Sequence, residues 1–174
     1  MSNPSMTPLW RKPERPLPLR LPLLCLCLFL ISLAYASDES EGGFYAAYTF
    51  GPEVYFGEGV ALEMHTYLGF EEVVPGLDVR AGAGFLAGDR PAFHVAGDAL
   101  YTLGGEAEDL TFRVGVGPRF ILGRLFDVGV GAFVQLELPH SGRASLFLEP
   151  GLNVYFLDVL RVAPGLSIGA RYRF

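Results

Sequence analysis

Residues 144–156 have the sequence ASLFLEPGLNVYF. One set of alternate positions is wholly apolar: Leu146, Leu148, Pro150, Leu152, Val154 and Phe156. The intervening set mixes polar, small and aromatic residues: Ser145, Phe147, Glu149, Gly151, Asn153 and Tyr155. Side chains of a β-strand point alternately to opposite faces of the sheet, so this period of two predicts a strand with one apolar face.

The same alternation recurs through the chain after residue 43, and no segment sustains the apolar spacing of an amphipathic helix. It predicts eight strands, at residues 44–56, 60–70, 77–87, 92–102, 110–121, 125–138, 144–156 and 159–174. Each is long enough to cross a bilayer when tilted, and an even number of strands is typical of a closed antiparallel barrel. We therefore predict an all-β fold, an eight-stranded antiparallel up-and-down transmembrane β-barrel over residues 44–174.

The first 36 residues have the pattern of a secretory signal peptide. Four basic residues, Arg11, Lys12, Arg15 and Arg20, precede an apolar run at 23–34 and the small-x-small triplet at 34–36. The alternative interpretation is a retained transmembrane helix. Such a helix needs roughly 20 apolar residues, and this run is shorter. We predict cleavage before Ser37 and a short N-terminal segment at 37–43. Both cysteines, Cys25 and Cys27, would leave with the signal peptide.

Beyond residue 36 the chain is acidic and contains no lysine. It has 18 acidic residues against nine arginines in that region. A nucleic-acid-binding surface is basic, so no nucleic-acid partner is predicted. No phosphate loop, zinc-ligand spacing or nucleotide fingerprint occurs in the sequence, so we predict no cofactor and no metal ligands.

The mixed face of the predicted strands is unlike a surface in water. It carries many glycines and nearly balanced charge: Glu53, Glu63, Asp78, Asp98, Asp127, Glu137, Glu149, Arg80, Arg113, Arg119, Arg161, Arg171 and Arg173. Glycine suits a narrow barrel, where opposite walls leave little room. Balanced charge suits a lumen with little water, because an unpaired buried charge is costly. We predict that these residues form a polar network in the lumen while the apolar face contacts lipid.

Aromatic residues cluster near the ends of the predicted strands: Phe44, Tyr45, Tyr55, Phe56, Phe70, Tyr101, Phe120, Phe126, Tyr155, Phe156, Tyr172 and Phe174. Transmembrane barrels carry such residues where the bilayer meets water. The pattern therefore predicts two aromatic girdles.

Four prolines lie within the predicted strands: Pro52, Pro118, Pro150 and Pro164. Proline lacks a backbone donor, and a closed barrel has no free edge on which to place it. We therefore expect bulges at these positions, or strands that end before them.

The chain ends in SIGARYRF, with Gly169, Tyr172 and Phe174 at spaced positions of the last strand. In this ending, in the signal-peptide pattern of the first 36 residues and in the strand alternation, the chain resembles the small outer-membrane β-barrels. This group includes the OmpA transmembrane domain and OmpX. The resemblance covers the whole region after the predicted signal peptide. It implies an outer-membrane location, contact with outer-membrane lipids, and recognition of Gly169, Tyr172 and Phe174 by the outer-membrane insertion machinery.

The function favoured by these patterns is a structural or interaction role in the cell envelope. His65 and His94 fall on the inward face, where we expect hydrogen-bonded lumen residues, so no catalytic residues are predicted. A general diffusion pore is not expected, because side chains fill the lumen of an eight-stranded barrel. The alternatives are a narrow channel for small solutes, a lipid-modifying outer-membrane enzyme and a secreted lipocalin-like binder.

Overall fold

The computed structural model describes residues 43–56, 59–89, 91–103, 110–123, 126–139, 142–157 and 160–174. The predicted signal peptide lies outside these residues. The strands are β1 Phe44–Tyr55, β2 Gly59–Val74, β3 Leu77–Ala87, β4 Ala92–Thr102, β5 Thr111–Leu122, β6 Phe126–Pro139, β7 Ala144–Tyr155 and β8 Arg161–Arg173. Each strand pairs antiparallel with the next, and β8 pairs with β1 to close the barrel. The predicted fold class and number of strands are confirmed.

Within the described ranges, no helix is long and apolar enough to cross a membrane.

Strand β2 is longer than predicted and irregular at its end. It continues to Val74 instead of ending at residue 70, and its pairing with β3 shifts register between Phe70 and Val74. Glu72 has a φ of 50° in this stretch. The two consecutive acids at 71 and 72 break the sequence alternation, so the alternation predicts an end of β2 that is too early. Gly76, with a φ of 78°, then turns the chain into β3.

The prediction of bulges or early strand ends at the four prolines was wrong. Strands run through all four, and the register is the same on both sides of Pro52, Pro118 and Pro150. At Pro164 the pairing with β7 keeps its register, while the pairing with β1 reaches only as far as Glu53–Gly165. In an antiparallel ladder, a residue directs its N–H and C=O to the same neighbouring strand. The proline therefore disturbs one ladder only and stays paired on its other side, as in the pairs Pro52–Leu62, Pro118–Val130, Pro150–Leu166 and Pro164–Leu152.

The outer face of the barrel is apolar and exposed. Phe93, Ile168 and Val116 retain 65%, 60% and 53% of their accessible surface. Among the described strand residues, charged side chains face the lumen, with the exposed Glu72 as the exception. A surface of this kind promotes association in water, whereas it matches the hydrocarbon of a bilayer.

The aromatic girdles are only partly as predicted. Exposed rings do lie near strand ends: Phe56, Phe70, Tyr101, Phe126, Phe156 and Phe174. Tyr45 and Tyr155, however, are fully buried inside the barrel. Tyr55 also turns inward, where its hydroxyl donates to Glu53 Oε2 at 2.7 Å. These three tyrosines belong to the lumen because their strand positions have the inward parity.

Candidate functional site

The middle of the lumen is organised around Arg80, on β3. Its Nε donates to Asp98 Oδ2 at 2.8 Å, and its two terminal nitrogens donate to the two oxygens of Glu149 at 2.8 and 3.1 Å. Its guanidinium also lies 4.2 Å from the ring centre of Tyr67 and 4.7 Å from that of Phe133. The planar fork of arginine can satisfy two carboxylates while stacking on rings, so a buried charge is fully compensated here.

A second cluster fills the lumen at the end where the chain terminates. Glu137 accepts hydrogen bonds from Arg113, from the Ser145 hydroxyl and from Arg173 at 2.7 Å. Arg173 also donates to both oxygens of Glu71, at 2.9 and 3.0 Å. The arginines here share their carboxylates, so each acid is held by more than one donor.

Arg171 joins this cluster to its neighbours. It donates to Glu71 at 2.9 Å and to Asp78 at 3.3 Å, while its guanidinium lies 4.2 Å from the ring centre of Tyr45. Gln135 then links the cluster to the centre of the barrel. Its carbonyl oxygen accepts from Arg171 at 3.1 Å, and its Nε2 donates to Glu149 at 2.6 Å.

Hydrogen bonds continue from the centre toward the other end of the barrel. Arg119 donates to Asp98 at 2.6 Å and to Asn153 at 3.2 Å. The Asn153 amide donates to Glu53 at 2.7 Å, and the Tyr155 hydroxyl lies 3.5 Å from the same carboxylate. One connected network therefore runs along most of the lumen. Hydrogen bonds in such an interior are stronger than the same bonds in water.

Glu63, His65 and His94 lie in the same half of the barrel as Tyr155. Glu63 Oε1 is 2.6 Å from His94 Nδ1 and 3.5 Å from His65 Nε2. The other ring nitrogen of His65 is 2.6 Å from the Tyr67 hydroxyl. Two imidazoles and a carboxylate are groups that can hold a metal ion, and they are the candidate ligands of this chain.

Asp127 and Arg161 form a separate pair near the connection between β7 and β8. Their side chains are 3.4 Å apart. Asp127 Oδ1 also accepts from the backbone nitrogens of Val128 and Leu157, at 2.9 and 3.1 Å. This carboxylate therefore ties the strand ends together.

Comparison with known proteins finds likeness in structure alone. No protein-family profile and no curated protein matches the chain. The N-terminal β-barrel domain of Pseudomonas aeruginosa OprF matches with a TM-score of 0.55 at 16% identity, over 75% of this chain and 98% of that one. Neisserial surface protein A matches with 0.51 at 14% identity, over 78% and 100%. A barrel from the de novo design of transmembrane β-barrels matches with 0.50 at 18%, over 79% and 100%.

The chain has the fold of the small eight-stranded outer-membrane barrels. At these identities the comparisons carry the fold, and the role of the chain is argued from its lumen and its outer face.

The structure places all thirteen residues of the predicted lumen network inside the barrel. Eleven of them are linked in the connected network, which Glu63 joins through His94 and the Tyr155 hydroxyl. Asp127 pairs with Arg161. Sequence reasoning missed Glu71, which lies beyond the predicted end of β2. Gln135, Asn153 and Tyr155 are absent from the predicted network, because balanced charge indicates charged side chains only.

The residues of the predicted assembly signal lie where β8 meets β1. Gly169 faces the lumen beneath Phe147, its directly paired residue on β7. The Phe174 nitrogen donates to Phe44 O at 3.0 Å, and the two rings stack with centroids 5.2 Å apart. The Tyr172 ring packs edge-on against Phe174 at 5.1 Å. These three residues thus belong to the strand that pairs with β1 and closes the barrel.

Proposed function

We propose that this chain is an integral outer-membrane protein with a structural or interaction role in the cell envelope, surrounded by outer-membrane lipid. The observation that carries the proposal is the reversed polarity of the barrel, which has paired charges inside and an apolar outer face. A soluble lipocalin-like barrel has the opposite arrangement, with an apolar cavity inside and polar side chains in water. The polarity therefore argues against the secreted binder.

The packing of the lumen supports a structural role over transport. Arg80 on β3 and Glu149 on β7 come from opposite walls of the closed barrel, so their bidentate ion pair crosses the lumen. Tyr67 and Phe133 pack against the same guanidinium. A cavity of about 40 Å³ beside this pair is large enough for a few water molecules. This arrangement opposes both a diffusion pore and a narrow solute channel.

The position of the histidines opposes a lipid-modifying role. His65 and His94 are buried in the lumen, with 3% and 0% of their surface exposed. An enzyme that acts on membrane lipids needs its reacting groups where an acyl chain or headgroup can reach them. The outer face of the described strands offers no such histidine to lipid.

Assembly completes the proposal. The outer-membrane insertion machinery would read the last strand through Gly169, Tyr172 and Phe174. Support comes from their position on the strand that must find β1 for the barrel to close.

Cell fractionation with heat-modifiable gel mobility tests the location. We expect recovery from the outer membrane only with detergent, and a mobility that changes when the sample is boiled. Recovery as a soluble periplasmic protein with no mobility change would contradict the proposal. Planar-bilayer recordings of the purified protein test the closed lumen, and we expect no stepwise conductance.

A further inference from the structure

Three strands place two histidines side by side in the lumen. His65 on β2 pairs with Gly84 on β3, and Gly84 pairs with His94 on β4, so the three residues form one row across the sheet. A Cβ at Gly84 would lie 1.6 Å from His65 Cδ2 and 2.6 Å from its Nε2. The His65 ring thus occupies the space of the missing side chain and reaches His94, with ring centroids 4.6 Å apart.

Glu63 completes the group from the same face of β2. Its Oε1 is 2.6 Å from His94 Nδ1 and 3.5 Å from His65 Nε2, and one ligand atom from each residue falls within 4.8 Å of the others. Two imidazole nitrogens and one carboxylate oxygen are a ligand set found in zinc sites that keep a fourth position open. The distances are short enough for one ion to contact all three groups.

A second observation concerns the free nitrogen of His65. Its Nε2 is buried and has no hydrogen-bond partner among the described residues. Its Nδ1 lies 2.6 Å from the Tyr67 hydroxyl, so an Nδ1–H that donates there leaves the Nε2 lone pair directed at Glu63 and His94. A buried acceptor without a partner is costly, and a cation at this point would satisfy it.

Both imidazoles also have the outer contacts that metal-binding histidines use. Tyr67 contacts the Nδ1 of His65, and the Tyr155 hydroxyl lies 3.4 Å from His94 Nε2. Such contacts on the far ring nitrogen fix the orientation and tautomer of a histidine ligand.

We propose that Glu63, His65 and His94 form a binding site for a divalent metal ion of the zinc class. The ion takes the place of the proton between His94 Nδ1 and Glu63, this proton leaves to the surrounding water, and the bound ion ties β2 to β4 across Gly84. It enters past Glu63, whose side chain keeps 15% of its surface exposed while those of the two histidines keep none. The spacing of residues in the sequence does not predict this site, because β3 separates the two histidines along the chain.

Calorimetric titration of Zn²⁺ into the full protein, extracted and purified in detergent, tests the proposal. We expect saturable binding of one ion per chain. The variants Glu63→Gln, His65→Gln and His94→Gln should each lose this binding while keeping the heat-modifiable mobility of the folded barrel. His140→Gln is the matched control, because it removes the third histidine of the chain and should bind as the parent does.

Tyr67→Phe tests the site with little change to the barrel. It keeps the ring beside Arg80 and removes only the hydroxyl that orients His65, so we expect Zn²⁺ affinity about 10- to 100-fold lower. Absence of saturable Zn²⁺ binding to the parent protein would overturn the proposal. So would parent-like binding by the three Gln variants, or loss of binding in His140→Gln alone. None of these outcomes depends on the membrane location of the barrel.

Discussion

The ring of Phe133 lies over Gly115, the residue directly opposite it on β5. A Cβ at Gly115 would be 2.1 Å from Phe133 Cζ, and the three nearest atoms to it all belong to that ring. A ring also lies within 2.7 Å of the Cβ position of the opposite glycine in the pairs Tyr45–Gly69, Tyr67–Gly82, His65–Gly84, Tyr155–Gly129 and Phe147–Gly169. Rings that cover glycines on the next strand therefore build much of the lumen wall, and two of them support Arg80.

Gly115→Ala should destabilise the barrel by about 1–3 kcal/mol, because the added methyl overlaps the Phe133 ring. Phe133→Leu in the same chain should recover part of the loss, since the smaller side chain leaves room. Equilibrium denaturant unfolding in detergent, arranged as a double-mutant cycle, measures the coupling. Gly97→Ala is the control, because a Cβ there has no neighbour closer than 3.9 Å. Equal effects of the two alanine variants would refute the steric account.

Parity along the strands made the barrel and its two faces predictable from sequence, whereas contacts between distant strands were not. The alternation placed Arg80 and Glu149 on the inner face, but their pairing across the lumen depends on how the strands are staggered. Nearness to strand ends predicts a girdle position for Tyr45 and Tyr155. Their parity, also readable in the sequence, would have placed them inside.

Two further errors have local causes. The prediction of bulges at the prolines overlooks that a proline has two neighbouring strands. Its missing N–H affects the pairing with only one of them. Strict alternation does not reach Glu71, because the backbone is irregular at Glu72 near the end of β2.

Arg80→Ala should destabilise the barrel by about 3–5 kcal/mol, because it leaves Glu149 buried without its arginine partner, while Asp98 keeps Arg119. Arg80→Lys should recover only part of this, since one ammonium cannot make the bidentate contact to Glu149. Denaturant unfolding in detergent gives both values. Arg161→Ala is the comparison, because that side chain is 17% exposed and pairs with Asp127 at 3.4 Å. A loss for Arg80→Ala no larger than for Arg161→Ala would contradict the central role of Arg80.

Val116→Arg tests whether the outer face lies in lipid. Val116 is 53% exposed in the middle of β5, so an arginine there should cost about 2–4 kcal/mol for folding into lipid vesicles. Val60→Arg is the matched variant, with the parent residue 59% exposed near the start of β2, where the cost should fall to about 0–1 kcal/mol. Unfolding from vesicles measures both. Equal costs at the two positions would argue against a bilayer centred on the barrel.

Phe174→Ala separates the packing of the barrel seam from recognition during assembly. The Phe174 and Phe70 rings both pack on Phe44, with centroids 5.2 and 5.3 Å away, and they are 50% and 55% exposed. Phe70→Ala therefore removes a similar contact to Phe44 without touching the last strand, and it should cost about 1 kcal/mol in vitro. Phe174→Ala should cost somewhat more, because the Phe174 ring also packs against Tyr172 at 5.1 Å.

In cells the two variants should differ if the C-terminal residue is read by the insertion machinery. We expect Phe174→Ala to lower the folded, heat-modifiable fraction in the outer membrane several-fold, and Phe70→Ala to leave it near the parent level, although both refold alike in detergent. Denaturant unfolding in detergent gives the stability of each variant, and a loss of folded protein in cells beyond what that stability difference explains arises during assembly. Equal yields of the two variants in cells would assign Phe174 a packing role and remove it from the assembly signal.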